Sequence, residues 1–244
     1  MPVQKKKIQK VTKDASTSSI RKQFRYLDLI TGLFVSILLI SNVASSKITI
    51  FGPFTFDGGT LLFPLSYIFG DILTEVYGYG KDRKIIWIGF ICNLLMAAVF
   101  MTVNLLPAAP DWHNQSAFNA IIGLTPRIVL ASITAYFVGE FANSFTMAKM
   151  KLVTNGKYLW TRTISSTIIS ELFDTAIFIT IAFIGVFSTK DLIALLISNY
   201  IFKVGVEVLF TPITYGIVNF LKKTEHENYF DRKTNFNPFA LQHE

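Results

Sequence analysis

The 244-residue sequence predicts an all-α membrane protein with six transmembrane helices, and three observations lead there. Hydrophobic residues make up 51% of the chain and mean hydropathy is +0.45, outside the range of an ordinary soluble domain. The apolar residues gather into six runs, each near the roughly 20 residues a helix needs to cross a bilayer. Lysine and arginine collect between alternate runs, the pattern that orients membrane proteins.

The runs lie at 26–43, 60–77, 84–106, 125–145, 163–187 and 192–221. Residues 1–25 form a basic cytoplasmic tail, with Lys5, Lys6, Lys7, Lys10, Lys13, Arg21, Lys22 and Arg25 set to lie against anionic headgroups. The transport domain spans 26–221, and 222–244 is a polar cytoplasmic tail. Loops 78–84 and 146–162 are basic, whereas 44–59, 107–124 and 188–191 are poor in Lys and Arg. Six crossings with both termini in the cytoplasm satisfy the positive-inside rule at every loop. The last run holds Lys203, Glu207 and Pro212, so it is expected to tilt, kink or break.

Composition also excludes function classes. A net charge of +7 suits nucleic acid in principle, but the basic residues sit at the termini and between apolar runs, so no nucleic-acid partner is expected. Cys92 is the one cysteine, which rules out a disulfide framework or a cysteine metal site. His113, His226 and His243 fall outside the runs, so no metal site and no cofactor is expected. No short apolar segment with a cleavage site marks a signal peptide.

The second run is the informative one. Stretch 61–79 carries Asp71 and Glu75 four residues apart, hence on one helix face. An intramembrane carboxylate costs about 2.5–3.5 kcal/mol on the translocon scale, so this face must turn to a bundle interior or a water-filled cavity. The fifth run carries Glu171 and Asp174, and SNVASSK (41–47) is echoed by ANSFTMAK (142–149). These matches suggest a 3+3 inverted repeat with a site near the midplane, between the halves.

Other polar residues fall inside the runs: Asp28, Ser41, Asn42, Asn93, Arg127, Glu140, Asn143, Asn199, Lys203 and Glu207. Bundle cohesion needs fewer, because interhelical hydrogen bonds contribute well under about 1 kcal/mol each. Lys203 and Arg127 neutralise two acids, with Glu207 a local partner of Lys203. Arg127, Lys203 and Glu207 are therefore assigned to gating or charge balance. The remaining acids await protons, water or a donor-rich ligand. A purine-like base is such a ligand, since one carboxylate accepts from its ring N–H and exocyclic amine together. Asn42 and Asn143 suit the other edge, and Tyr67, Phe69 and Phe173 offer stacking faces.

The run FPLSYIFGDILTEVYGYGKDRKIIWIGF (63–90), with TPRIVLAS (125–132), LWTRTISST (159–167) and DTAIF (174–178), resembles the signature of the bacterial queuosine precursor transporter family, also grouped as vitamin uptake transporters. The resemblance covers about 26–220. It implies an inner-membrane carrier of 7-cyano-7-deazaguanine, its aminomethyl relative or queuine, for queuosine salvage into tRNA. The matching motif positions are Ser41, Asn42, Pro64, Tyr67, Asp71, Glu75, Arg127, Arg162, Ser166 and Asp174. The chain has Glu140 and Glu171 where many members carry Gln and others carry acids, which leaves the choice among the three compounds open; a cationic aminomethyl group would be the better match to the extra acids.

The substrate-site expectation is thus Asn42, Tyr67, Asp71, Glu75, Glu140, Asn143, Glu171 and Asp174, in a non-enzymatic importer whose partners are the lipid bilayer and a small purine-like molecule. Assembly as a homodimer stays open. One alternative is the membrane subunit of an ATP-driven importer, whose ATPase would be another chain because no P-loop is present. Another is an intramembrane hydrolase pairing Asp71 with Asp174.

Overall fold

The computed structural model describes residues 23–51, 54–122 and 126–240. The basic segment before residue 23 lies outside them. Helix α1 (Leu27–Ala44) leads into a hairpin of β1 (Ile48–Phe51) and β2 (Phe54–Asp57), then a 3₁₀ turn (Gly58–Leu61). There follow α2 (Phe63–Tyr77), α3 (Tyr79–Leu105), α4 (Gln115–Ile122), α5 (Pro126–Val153), α6 (Leu159–Phe183) and α7 (Thr189–Glu225). The strands pair antiparallel, Ile48 opposite Asp57 and Phe51 opposite Phe54. The expected all-α class thus holds for the bundle, while the 44–59 loop adds a small hairpin.

Among the described residues five segments are long and apolar enough to cross a membrane: α1, α3, the stretch carrying α4 and α5, α6 and α7. Of the six expected spans, helix α2 is the one that falls short of that length. Its 15 residues rise only about 22 Å, less than the roughly 30 Å of hydrocarbon. Twelve of the 15 are buried, so α2 is the axis that the other helices surround. Pro64 suits its first turn, where the missing N–H is unneeded. Gly78 (φ +86°) turns the chain directly into α3, and a Cβ there would strike the Tyr229 ring.

The ends of the elements meet in a way that fixes the path. Glu225, closing α7, accepts from the backbone N–H of Arg25 (3.0 Å) and Tyr26 (2.7 Å) and from the Tyr77 hydroxyl (3.1 Å). The start of α1, the α2–α3 junction and the end of α7 therefore share one end of the bundle. Arg162, near the start of α6, joins them through Glu75. The chain runs away from this end along α1, α3 and α6 and returns along α2, α5 and α7.

Several basic residues assigned to loops lie inside helices. Lys81, Arg83 and Lys84 open α3, and Lys149 and Lys151 close α5. Lys and Arg are good helix formers, so a helix need not stop where its apolar run stops. Helix α7 continues through Pro212 as one 37-residue helix, so of the expected tilt, kink or break the break does not occur. The outer surface is apolar, with Leu29, Ile91, Leu95, Leu172 and Leu209 exposed, while acids and amides are buried. That inversion of a soluble protein marks a multi-pass membrane protein.

The described part of the C-terminal segment is strapped across the shared end. Asp231 accepts from the Tyr79 N–H with both oxygens (3.1 Å each), supplying the orphan donor at the start of α3. Arg83 donates to the Asn235 (2.7 Å) and Asn237 (3.0 Å) carbonyls, and the Trp87 indole to Pro238 (2.9 Å). Phe236 and Phe239 pack on Phe145, Trp87 and Phe137.

Candidate functional site: a buried acidic chamber

Four helices contribute to a cluster of buried acids in mid-bundle, hereafter the chamber. From α2, Asp71 Oδ1 accepts from the Asn143 amide of α5 (2.8 Å) and the Ser166 hydroxyl of α6 (3.2 Å). Lys203 of α7 donates to Asp174 (2.6 Å) and lies 3.0 Å from Glu171, both on α6. Thr175 adds a weak bond to Glu171 (3.4 Å).

Two glycines bring α2 and α5 close enough to complete it. A Cβ at Gly139 would sit 2.5 Å from the Tyr67 hydroxyl and 3.1 Å from Asp174 Cβ. One at Gly70 would sit 3.0 Å from Glu140 Oε2 and 3.4 Å from the Asn143 amide nitrogen. This reciprocal small-residue contact lets backbones approach and threads Tyr67 and Glu140 past one another.

The chamber is incompletely satisfied. Among the described residues nothing donates to Asp71 Oδ2, Glu140 Oε1, Asn143 Oδ1 or either oxygen of Glu207, although all four side chains are buried. Buried polar atoms are almost always paired. Here five unpaired oxygens share one chamber, and all five are acceptors.

Glu75, expected in the substrate set, has a different setting. Arg162 grips it with Nη2 (2.8 Å) and Nε (3.1 Å), Lys151 lies 3.5 Å away, and Lys222 pairs with the same oxygen. Lys151 also donates to the Glu75 carbonyl (2.5 Å), and Arg162 to Thr154 (3.1 Å) and the Lys157 carbonyl. Arg162 and Lys151 are as buried as the acid they meet. Glu75 is therefore the centre of a complete ionic node at the shared end.

Other candidates fall elsewhere. Asn42 donates to Asn93 (2.7 Å) and to the Leu38 carbonyl (3.0 Å). With Phe63, Asn93 and Tyr136 it lines a pocket between α1, α3 and α5. Phe63 is 5.3 Å from Lys203, so this pocket borders the chamber. Arg127 donates to the Ile181 (2.5 Å) and Ile184 (2.6 Å) carbonyls, closing the C-terminus of α6, where orphan carbonyls carry partial negative charge. There it meets helix-end carbonyls rather than an intramembrane acid. Glu207 does not pair with Lys203, which has turned to α6. Phe173 is exposed toward lipid and cannot stack in the chamber, and Asp28 is exposed at the start of α1. Asn199 is satisfied by its own helix at Leu195. Asp71 and Asp174 take different partners, so no shared-proton dyad forms between them.

Sequence reasoning missed Asp82 and the strap. Asp82 is buried and accepts from Thr74 (2.5 Å), which is 3.0 Å from Ser144. Grouped with the loop cations, it gave no signal. The strap had one: Tyr229, Phe230, Phe236 and Phe239 stand in an otherwise polar tail, where aromatic residues need something to pack on.

Residues 57–217 match the family described as "Putative vitamin uptake transporter". A "Probable queuosine precursor transporter" of Bacillus subtilis (strain 168) is 28% identical over 202 residues, 81% of this chain and 88% of that protein. A protein of the same description from Haemophilus influenzae (strain ATCC 51907 / DSM 11121 / KW20 / Rd) is 26% identical over 163 residues, 66% of this chain and 67% of that protein. No solved structure matches the chain. The match covers well over half of the chain and takes in the chamber, Glu75 with Arg162 and Lys151, and the glycine contacts between α2 and α5; the chain belongs to the vitamin uptake transporter family.

Proposed function

We propose that this protein imports a queuosine precursor, a 7-deazaguanine such as the 7-cyano or 7-aminomethyl compound or queuine, across the bacterial inner membrane. The observation that carries the reading is the set of unpaired acceptors Asp71 Oδ2, Glu140 Oε1 and Asn143 Oδ1. A guanine-like edge offers ring N–H and exocyclic amine donors side by side. Asp71, already fixed through Oδ1, accepts them at Oδ2, and Glu140 and Asn143 take the remaining donors. Tyr67, held against Gly139, supplies the aromatic wall, while Glu171 and Asp174 hold Lys203 at the far side of the site. The pocket lined by Asn42 is the entrance.

In this reading both termini are cytoplasmic, and the basic shared end faces the cytoplasm. Alternating access moves two three-span halves, related as an inverted repeat, about the chamber. The Glu75 node closes the cytoplasmic side when the entrance is open. Of the two acids that replace amides, Glu140 keeps a free oxygen while Glu171 is engaged by Lys203. Preference for a cationic aminomethyl group therefore rests with Glu140.

The deciding experiment places the gene in a strain unable to make queuosine precursors and scores tRNA queuosine on each precursor in turn. Restoration by at least one precursor, dependent on the gene, is the expected result. The same low level with and without the gene on every precursor rejects the substrate. Equal use of nitrile and aminomethyl compounds, unchanged in Glu140→Gln, rejects the role given to Glu140.

A further inference from the structure

Among the described residues the chamber holds five carboxylates, Asp71, Glu140, Glu171, Asp174 and Glu207, and the ammonium of Lys203 lies between two of them. Glu207 is the one whose two enclosed oxygens both lack a partner. It is 1% exposed and lies in the inward stripe of α7 with Lys203, Thr211 and Thr214. Helix α7 packs on α2 and α6. From α2 it faces Asp71, while Glu75 is committed to its three cations. From α6 it faces Glu171, which with Asp174 is committed to Lys203, and Arg162 is committed to Glu75. An ionised carboxylate in that setting has no uncommitted counter-charge and is repelled by its neighbours, a cost of several kcal/mol. Neutralisation by a proton removes the cost. A multivalent metal is disfavoured, since no three His, Cys, Asp or Glu side chains are grouped to hold one among the described residues. The unpaired carbonyl of Asn143, a group that cannot ionise, independently marks the chamber as one that awaits donors.

We propose that Glu207 is a proton-carrying site that couples import to proton entry. Its proton stays while Lys203 pairs with Asp174 and Glu171. When the α6 acids take other partners during the transport cycle, Lys203 turns to Glu207, four residues along the same helix face. The Glu207 O–H bond then breaks, its proton passes to water on the cytoplasmic side, and an ion pair with Lys203 replaces it. No electron transfer is involved.

The coupling step rests on the importer reading, but the proton site does not, and the test separates them. Infrared spectroscopy of the full-length protein in lipid at neutral pH should show protonated-carboxyl C=O absorption with one component that disappears in Glu207→Gln and returns, shifted, in Glu207→Asp. An unchanged band overturns the site. So does failure of Glu207→Gln to fold, because Gln is the neutral isostere of the protonated acid. Proteoliposomes then receive 7-cyano-7-deazaguanine, its aminomethyl relative or queuine, with a pH-sensitive dye inside. Wild-type accumulation should rise up to about tenfold per unit of outside-acid gradient for one proton per substrate, with acidification of the lumen. Glu207→Gln should accumulate equally with and without the gradient. Wild-type uptake indifferent to the gradient overturns the coupling. A protein that shows the Glu207 band yet takes up none of the three compounds supports the proton site and rejects the substrate assignment.

Discussion

The shared end of the bundle and its middle contain the same kinds of side chain under opposite accounts of charge. At the end, Glu75 meets Arg162, Lys151 and Lys222, so one buried acid faces three cations. In the middle, Asp174 and Glu171 share Lys203, while Asp71, Glu140 and Glu207 keep oxygens without donors. A complete node resists opening because each departure strands a charge. An incomplete chamber already bears that cost in the resting structure and recovers it when a ligand or proton arrives. Burial alone does not separate the two regions, since Glu75 and Asp71 are equally enclosed. What separates them is whether the partners have been supplied by the chain.

That contrast is open to attack on both sides. Glu75→Gln should be the most damaging, costing about 3–5 kcal/mol of stability as buried cations lose their acid. A much lower thermal midpoint and reduced abundance in the membrane would show it, and an unchanged midpoint would mean that the node is dispensable. Asp71→Asn should leave the midpoint alone and cut uptake, by about 10–100-fold for roughly 1.5–3 kcal/mol of charge-assisted bonding. If Asp71→Asn fails to reach the membrane instead, the chamber is as structural as the node. Gly139→Ala should cost about 1–3 kcal/mol, because its methyl lands 2.5 Å from the Tyr67 hydroxyl. Tyr67→Phe in the same chain should recover much of the melting loss, and no recovery would place the clash elsewhere. Asp231→Ala should be mildest, about 0.5–2 kcal/mol for a lost helix-start acceptor, read as a small drop in midpoint with substrate affinity unchanged.

Much of the bundle was legible in the sequence because apolar runs of membrane length announce themselves, and the acids within them do too. Asp71, Glu140, Asn143, Glu171, Asp174 and Lys203 were identified by type and depth, and they do meet. Their pairing was not legible. Arg162 and Lys151 counted as loop cations that orient the protein, yet both turn inward to an acid 87 and 76 residues away in sequence. A cation at a membrane edge reads identically whether it faces water or a buried carboxylate. The preference of Lys203 for α6 over its helical neighbour Glu207 is equally a tertiary matter, since spacing permits the local pair and packing denies it. The shortness of α2 was hidden because the 3₁₀ turn before it is also apolar.

The strap has a consequence for how the chain is made. The amide of Tyr79 waits for the carboxylate of Asp231, 152 residues later. At about 5–20 residues per second, that acceptor is synthesised roughly 8–30 s after the donor, when every helix has already been translated. Arg83 and Trp87 wait as long for their carbonyls. Residues 229–238 thus fasten the second and third helices, and a chain cut before them leaves the shared end of the bundle unlatched. Such a chain presents an uncovered Tyr79–Trp87 face, with the Tyr79 amide, the Arg83 guanidinium and the Trp87 indole all lacking the acceptors the strap supplies.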